Sequence, residues 1–169
     1  ALLQWLNVFE NVALSLREHT RMTEEEIKTK VLEKLRLLNM EDAVDKFPSD
    51  LSGGMQKRIG LARAIVMDPE IILYDEPTSG LDPVTSRLID QLIENLRKEL
   101  GITSVVVTHD LHSALSIGTQ IMMIDGGKIV ENSAPNDFVH SENEVVKSFL
   151  ESQYITRRGA WEKGMKSHA

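Results

Sequence analysis

The feature that most constrains the fold is a run of four apolar residues, 71–74, that ends in two acids, Asp75 and Glu76. Such a run is typical of a parallel strand buried on both faces. A helix is predicted soon after it, because Asp82 supplies an N-cap and the next residue is proline. A second run, 103–107, is rich in β-branched residues and predicts a second strand. The order strand–helix–strand indicates an α/β sheet.

Helical signals dominate the residues before this sheet. Three helices are predicted, over residues 8–19, 24–39 and 53–66. Thr23 and Glu26 match a capping box in front of the second helix, and Ser52 can cap the third. The sequence therefore predicts a helical subdomain that precedes an α/β part.

Three further elements are predicted after residue 80. Leucines at every fourth position form the expected buried stripe of the helix that starts at Pro83 and ends at Gly101: Leu88, Leu92, Leu96 and Leu100. Asp110 can cap a short helix, and residues 125–127 (Asp-Gly-Gly) between two apolar segments predict a β-hairpin. The last helix is predicted at about 143–150.

Composition excludes several classes of protein. The net charge of -7 and the pI of about 5.3 argue against a nucleic-acid partner, which requires a basic surface. The absence of cysteine excludes disulfides and thiolate metal sites. No apolar run approaches the roughly 20 residues of a membrane-spanning helix. The chain opens on Ala1 without a methionine, which we interpret as a cut end.

The paired acids at the end of the first strand suggest a site that binds a metal ion and activates water. Ligands of α/β sheets gather at the carboxyl ends of the strands. Asp75 can hold Mg²⁺ through water, and Glu76 can polarise an attacking water. The alternative is a pair of acids in an ordinary exposed turn.

A glycine-rich segment at the start of the third helix suggests an anion site. In Ser52-Gly53-Gly54-Met55, the helix N-terminus and the serine hydroxyl favour an anion, and the glycines allow close approach. The alternative is a plain helix cap with glycines for packing. Cations follow on the same helix, and they either support the anion field or are solvated surface residues: Lys57, Arg58 and Arg63.

Taken in order, these residues resemble the ABC ATPase family. Residues 51–56 (LSGGMQ) resemble its signature loop, and residues 71–75 resemble its Walker B strand. Glu76 stands at the position of the family's general base. Residues 79–82 resemble the D-loop, and His109 resembles the switch histidine, although a lone strand-end histidine is more often structural.

The resemblance implies an incomplete P-loop NTPase (RecA-like) sheet with an ABC helical subdomain. It covers residues 1 to about 150, and the tail beyond it is expected to be loosely ordered or bound to a partner through Tyr154, Trp161 and Met165. The implied division is a helical subdomain with the signature loop (1–68), a part of the RecA-like core (69–133), and a C-terminal helix and tail (134–169).

The resemblance also implies cofactors and roles. The cofactors are ATP and Mg²⁺, and the partners are a second ATP-binding subunit in a homodimer and transmembrane permease subunits. Catalysis falls to Glu76 and His109, and Asp75 holds Mg²⁺ through water. Nucleotide contact or coupling falls to Ser52, Gly53, Gly54, Met55 and Asp82. The expected location is peripheral, on the cytoplasmic face of the inner (plasma) membrane.

A finer resemblance concerns the substrate. Met55 in place of the family's usual glutamine, together with residues 7–12 and 74–83, is similar to the Mla/Mce-type ATPases that drive lipid movement across the bacterial envelope. Two alternatives stay open. One is an ABC protein without a transporter, and the other is a truncated, non-catalytic module for dimerisation or regulation.

No GxxxxGK[ST] segment occurs in the 169 residues. The family's P-loop lies upstream of its signature loop, so we expect it before Ala1. Without its lysine and amide cradle, the chain alone is predicted not to hydrolyse ATP. We also expect the missing P-loop strand to leave a slot between strands 103–108 and 121–125. The chain then collapses the slot, fills it from a neighbouring molecule, or is only partly ordered.

Overall fold

The computed structural model describes residues 2–153. The chain divides into two compact units, Ala1–Val107 and Thr108–Ala169. The division into three parts predicted from the family resemblance (1–68, 69–133 and 134–169) differs from these two units, and it stays a prediction. The expected anchors Tyr154, Trp161 and Met165 lie outside the described residues.

Besides two short 3-10 helices at Glu41–Ala43 and Pro48–Asp50, the first unit contains four α-helices and two strands in its described part. In chain order these are α1 (Val8–His19), α2 (Glu24–Leu37), α3 (Gly53–Ile65), β1 (Ile71–Asp75), α4 (Pro83–Leu100) and β2 (Thr103–Val107). The predicted bounds agree to within two residues, because the caps form as expected. The capping box of Thr23 and Glu26 is complete, and Ser52 and Asp82 each accept hydrogen bonds from backbone N–H groups of the helices they precede.

Helices α1, α2 and α3 pack against one another around an apolar core. Side chains with 2% exposure or less line it: Val12, Leu16, Ile27, Val31, Leu35, Ile59 and Ile65. They recur at helical spacing along each helix, so each helix presents one apolar stripe to the other two. The three helices predicted before the sheet are therefore present and share one core, whereas their separation as a subdomain stays a prediction.

An ion-pair cluster joins α2 to the loop after α3. The Nζ atoms of Lys30 and Lys34 lie 2.6 and 2.7 Å from the carboxylate of Asp68. Burial would raise the pKa of Asp68, but the hydrogen bonds from both lysines outweigh it and lower that pKa. Burial would likewise lower the pKa of Lys34, but its bonds to Asp68 and Glu33 raise it.

Asp68→Asn is expected to lower the free energy of unfolding by about 1 kcal/mol at pH 7, because Asp68 is a solvent-screened partner of a buried lysine. The folded pKa of Asp68 is depressed, so its contribution is present above the unfolded value of about 3.9 and is lost as the pH falls through the folded value. Urea titrations from pH 7 to pH 2 measure this. The free energy of unfolding of Asp68→Asn should approach that of the wild type in acid. The control Asp45→Asn, at an exposed site, should match the wild type at every pH. A pH-independent deficit would contradict the ion-pair explanation.

The buried stripe of α4 differs from the prediction. Ile89, Ile93 and Leu96 are buried, whereas Leu88 and Leu100 are 42% and 36% exposed. Two apolar stripes lie side by side on this helix, and its contacts with α3 and β2 select the isoleucine stripe. The buried face of α4 predicted from leucine periodicity alone is therefore only partly correct.

The two strands of the first unit pair in parallel, with Ile71 opposite Thr103 and Asp75 opposite Val107. The parallel sheet was predicted, but the strands are not buried on both faces. One face contains the buried side chains of Ile72 and Tyr74. On the other face, apolar side chains are between 48% and 77% exposed: Ile71, Leu73, Val105 and Val107. Within the described part of this unit, the helices cover one side of a two-stranded sheet only.

The second unit is built around a β-hairpin. Its elements are α5 (Leu111–Ile117), β3 (Ile121–Asp125), β4 (Lys128–Ser133), α6 (Pro135–Phe138) and α7 (Glu144–Ser152). The turn has positive φ at Gly126 and Gly127, 52° and 76°, as the Asp-Gly-Gly signal requires. The described residues of this unit include an apolar core cluster: Leu111, Leu115, Ile121, Phe138, Val139, Val146 and Leu150. The one-turn α6 was missed because it is too short to show a period.

Strands β2 and β3 belong to different sheets, β1–β2 and β3–β4. The expected collapse or filling of a slot between them stays a prediction. In the part of the chain that the structure describes, no helix is both long and apolar enough to cross a membrane.

Candidate functional site

Glu76 follows β1 directly and has an unusual backbone. Its φ is +47°, a conformation that costs a non-glycine residue roughly 1–3 kcal/mol and persists only where the surroundings hold it. Its N–H donates to the carbonyl of Val107 at 2.9 Å, which extends the β1–β2 ladder by one bond. Its own carbonyl accepts from the N–H of Ser79 at 3.2 Å and from Nζ of Lys57 at 3.1 Å. The peptide groups on both sides of Glu76 are therefore fixed.

Lys57 was missed as a site residue. The sequence favoured a solvated helix cation, but the side chain is half-buried and spans from α3 to the turn after β1. Arg58 and Arg63 on the same helix are also half-buried. A lysine two positions after Met55 has no local signal for this contact, because its acceptor is a backbone atom nineteen residues away.

The residues that resemble a D-loop form the turn between β1 and α4. Gly80 has φ +77°, which suits glycine. Oδ1 of Asp82 accepts from the N–H groups of Val84 and Thr85 at 2.9 and 3.1 Å. The Thr85 hydroxyl, followed by these N–H groups, lowers the pKa of Asp82, so that carboxylate stays ionised at neutral pH.

The glycine-rich segment at the start of α3 packs against this turn. The hydroxyl of Ser52 accepts from the N–H of Met55 at 3.3 Å, as an N-cap. Gly53 faces Leu81, and a Cβ at Gly54 would lie 2.6 Å from Cγ2 of Thr85. The cap-and-packing role is therefore real, and Gly54 permits a close helix contact. The exposed Ser52 and Gly53 still present the first turn of α3 to solvent.

A cleft of about 570 Å³ lies between α3 and β1. Lys57 and Arg63 contribute to its lining from the helix, and Tyr74 and Asp75 contribute from the strand. Asp75 is exposed at the carboxyl end of β1 and Glu76 is half-buried beside it. Burial raises the pKa of Tyr74, so its hydroxyl stays protonated. The cleft thus has two cations on one wall and an acid on the other.

The carboxylates at the end of β1 have the chemistry that Mg²⁺ requires. Mg²⁺ in phosphate-transfer sites is held by one or two carboxylates, waters and phosphate oxygens rather than by a full protein cage. An exposed Asp75 beside Glu76 matches that pattern. Among residues 2–153, no group of three or more acids or histidines is placed to hold a metal ion.

His109 belongs to the second unit. It is exposed and immediately precedes Asp110, whose Oδ1 accepts from the N–H groups of His112 and Ser113 at 2.9 and 3.2 Å and so begins α5. The first unit therefore brings together the glycine-rich start of α3, the carboxylates after β1 and the turn through Asp82. The role of His109 stays a prediction.

The chain is similar to known ABC transporter proteins in sequence and in fold. Residues 1–79 match the family model described as ABC transporter. The structure resembles CbiO1 of Clostridium perfringens, part of the ABC transporter complex CbiONQ, with a TM-score of 0.76 and 30% identity over 89% of this chain and 59% of that one. It also resembles the ATP-binding cassette MJ0796, a dimer in a post-hydrolysis state bound to ADP and Pi, with a TM-score of 0.69 and 38% identity over 79% and 59%.

The fold is thus the P-loop NTPase fold of ABC ATPase domains, and residues 1–79 match the ABC transporter family itself. Among curated relatives, the chain is 41% identical to a probable ribonucleotide transport ATP-binding protein, mkl, of Mycobacterium leprae, over 92% of this chain and 45% of the relative. It is 39% identical to the intermembrane phospholipid transport ATP-binding protein MlaF of Haemophilus influenzae, over 90% and 58%. It is 37% identical to the methionine import ATP-binding protein MetN of Lactobacillus johnsonii, over 88% and 44%. The chain spans about half the length of these relatives.

Proposed function

We propose that this chain provides the signature, Walker B and D-loop half of an ATP-binding subunit that couples ATP hydrolysis to transport across a membrane. The observation that carries the proposal is the fixed position of Glu76. Its backbone is held between β2 and α3, directly after the Asp75 carboxylate and before the turn that ends at Asp82.

In this proposal the residues divide the chemistry as follows. Glu76 accepts a proton from the attacking water, and His109 contacts the terminal phosphate. Asp75 holds Mg²⁺ through water, and the ion neutralises charge on the transferred phosphoryl group. Ser52, Gly53, Gly54 and Met55 contact an ATP held by a second subunit, and Asp82 couples the two sites.

We further propose phospholipid as the cargo and a peripheral position at the cytoplasmic membrane face, bound to permease subunits. The relative named for phospholipid transport, MlaF, supports this, as does methionine at position 55, as in the Mla/Mce-type sequences. Relatives named for ribonucleotide and methionine transport define the competing cargoes. Reconstitution of the protein with its permease in vesicles distinguishes them: ATP-dependent transfer of labelled phospholipid supports lipid transport, and ATP-dependent uptake of methionine or nucleotide contradicts it.

The first test compares ATP turnover by the 169-residue chain with turnover by the complete reading frame that encodes it. Because the 169 residues contain no GxxxxGK[ST] segment, the short chain is expected to show no turnover above background. Turnover by the complete frame supports the proposal. If neither protein hydrolyses ATP, the non-catalytic module for dimerisation or regulation is favoured. If the short chain does so alone, its nucleotide site lies elsewhere.

A further inference from the structure

We infer that Lys57 is a positioning residue that ties α3 to the backbone of Glu76 and so sets the direction of the Glu76 carboxylate. The inference rests on the proposed function, because it assigns Glu76 the role of general base. Its physical basis is the 3.1 Å hydrogen bond from Nζ of Lys57 to the carbonyl of Glu76.

The carbonyl of Glu76 is a sensitive point of attachment. With φ at +47°, Glu76 relies on its surroundings to keep its backbone in place. A rotation about the N–Cα bond of Glu76 would relieve this φ, and it would move the carbonyl and the side chain together, so that holding the carbonyl also holds the side chain. The Ser79 N–H also binds this carbonyl, but it lies in the same turn and moves with it. Lys57 joins the carbonyl to a separate helix.

Lys57 lies on the helix that begins with the glycine-rich segment, five residues after the cap Ser52. A regular helix transmits a shift along its axis with little distortion, and five residues span only about 7.5 Å. A displacement of the first turn of α3 therefore reaches Nζ of Lys57 and the Glu76 carbonyl. Contact at the signature residues is in this way coupled to the orientation of the base.

The test uses the complete reading frame and three variants. Lys57→Met keeps the apolar stem but removes the donor, Lys57→Arg keeps a charged donor, and Lys28→Met changes an exposed lysine on α2. Lys57→Met is expected to lower kcat by about 10- to 100-fold, the effect of losing a charge-assisted bond that orients a catalytic group. The KM for ATP should change little, because Lys57 holds Glu76 rather than the nucleotide.

Lys57→Arg should recover most of the lost rate, and Lys28→Met should behave as wild type. The inference is overturned if Lys57→Met raises KM and leaves kcat intact, or if arginine is as harmful as methionine. A loss of rate that follows a loss of thermal stability in both Lys57 variants would also overturn it, because that pattern indicates a purely structural side chain.

A second measurement separates this inference from the proposed function. Amide hydrogen exchange in the 169-residue chain reports on the turn directly, with no need for ATP. Lys57→Met should speed exchange of the Glu76 and Ser79 amides while exchange of the Ile59 amide in α3 stays unchanged. Suppose that the wild-type complete frame fails to hydrolyse ATP, but Lys57→Met still speeds exchange at Glu76 and Ser79. The proposed function then fails, while the role of Lys57 in holding the Glu76 backbone (the tether) stands. Unchanged exchange at both amides rejects the tether.

Discussion

Glu76→Gln in the complete reading frame is expected to lower kcat for ATP hydrolysis by about 10²- to 10⁴-fold, the usual contribution of a general base. Glutamine has nearly the same shape but cannot accept a proton from water. The backbone bonds of Glu76 to Val107, Ser79 and Lys57 involve main-chain atoms of residue 76, so they persist in the variant. The fold and the affinity for ATP should therefore change little.

The matched control for this prediction is Glu70→Gln. Glu70 is exposed just before β1, and its carbonyl accepts from the N–H of Thr103 through the main chain only. The Glu70→Gln substitution removes the same charge beside the same sheet. It should leave kcat within about twofold of the wild-type value, since substitutions at exposed sites have small effects. Steady-state kinetics with melting curves measure both variants. Equal losses in the two, or full activity in Glu76→Gln, would remove Glu76 from the role of base.

Gly54→Ala is expected to destabilise the chain by about 1–3 kcal/mol, the usual cost of overpacking. The new methyl group would lie 2.6 Å from Cγ2 of Thr85. Thr85 cannot easily turn away, because its hydroxyl and N–H both bind Asp82. The variant must separate α3 from α4 or release this cap. In the complete frame we also expect a lower rate of ATP hydrolysis, because the signature segment is displaced.

Two comparisons isolate the clash in urea titrations. Gly60→Ala on the same helix meets open space and should stabilise by about 0.5–1 kcal/mol, because alanine is the better helix former. Thr85→Ser removes the clashing methyl but keeps the hydroxyl for Asp82. Combined with Gly54→Ala, it should restore most of the lost stability. If the effects of Gly54→Ala and Thr85→Ser on the free energy of unfolding are purely additive, the contact with Thr85 does not explain the glycine at position 54.

The sequence by itself determined the ends of the elements and the position of the paired acids at the end of a strand. Thr23, Ser52, Asp82 and Gly101 begin or end helices as predicted, with Gly101 at φ +66°. These signals are reliable because a cap or a turn depends on bonds between residues two to four positions apart. The paired acids after β1 were predicted for the same reason, as a strand end is a local pattern.

Tertiary structure decided which surfaces are buried and which distant atoms meet. The isoleucine face of α4 rather than its leucine stripe meets the core, and one face of the β1–β2 sheet keeps Leu73 77% exposed. Lys57 reaches Glu76, and Gly54 meets Thr85, across 19 and 31 residues of sequence. Periodicity shows that a segment has an apolar face, but the packing partner selects among neighbouring faces. A contact between two elements depends on where both segments of the chain lie in space, and the local sequence pattern of either segment does not contain that information.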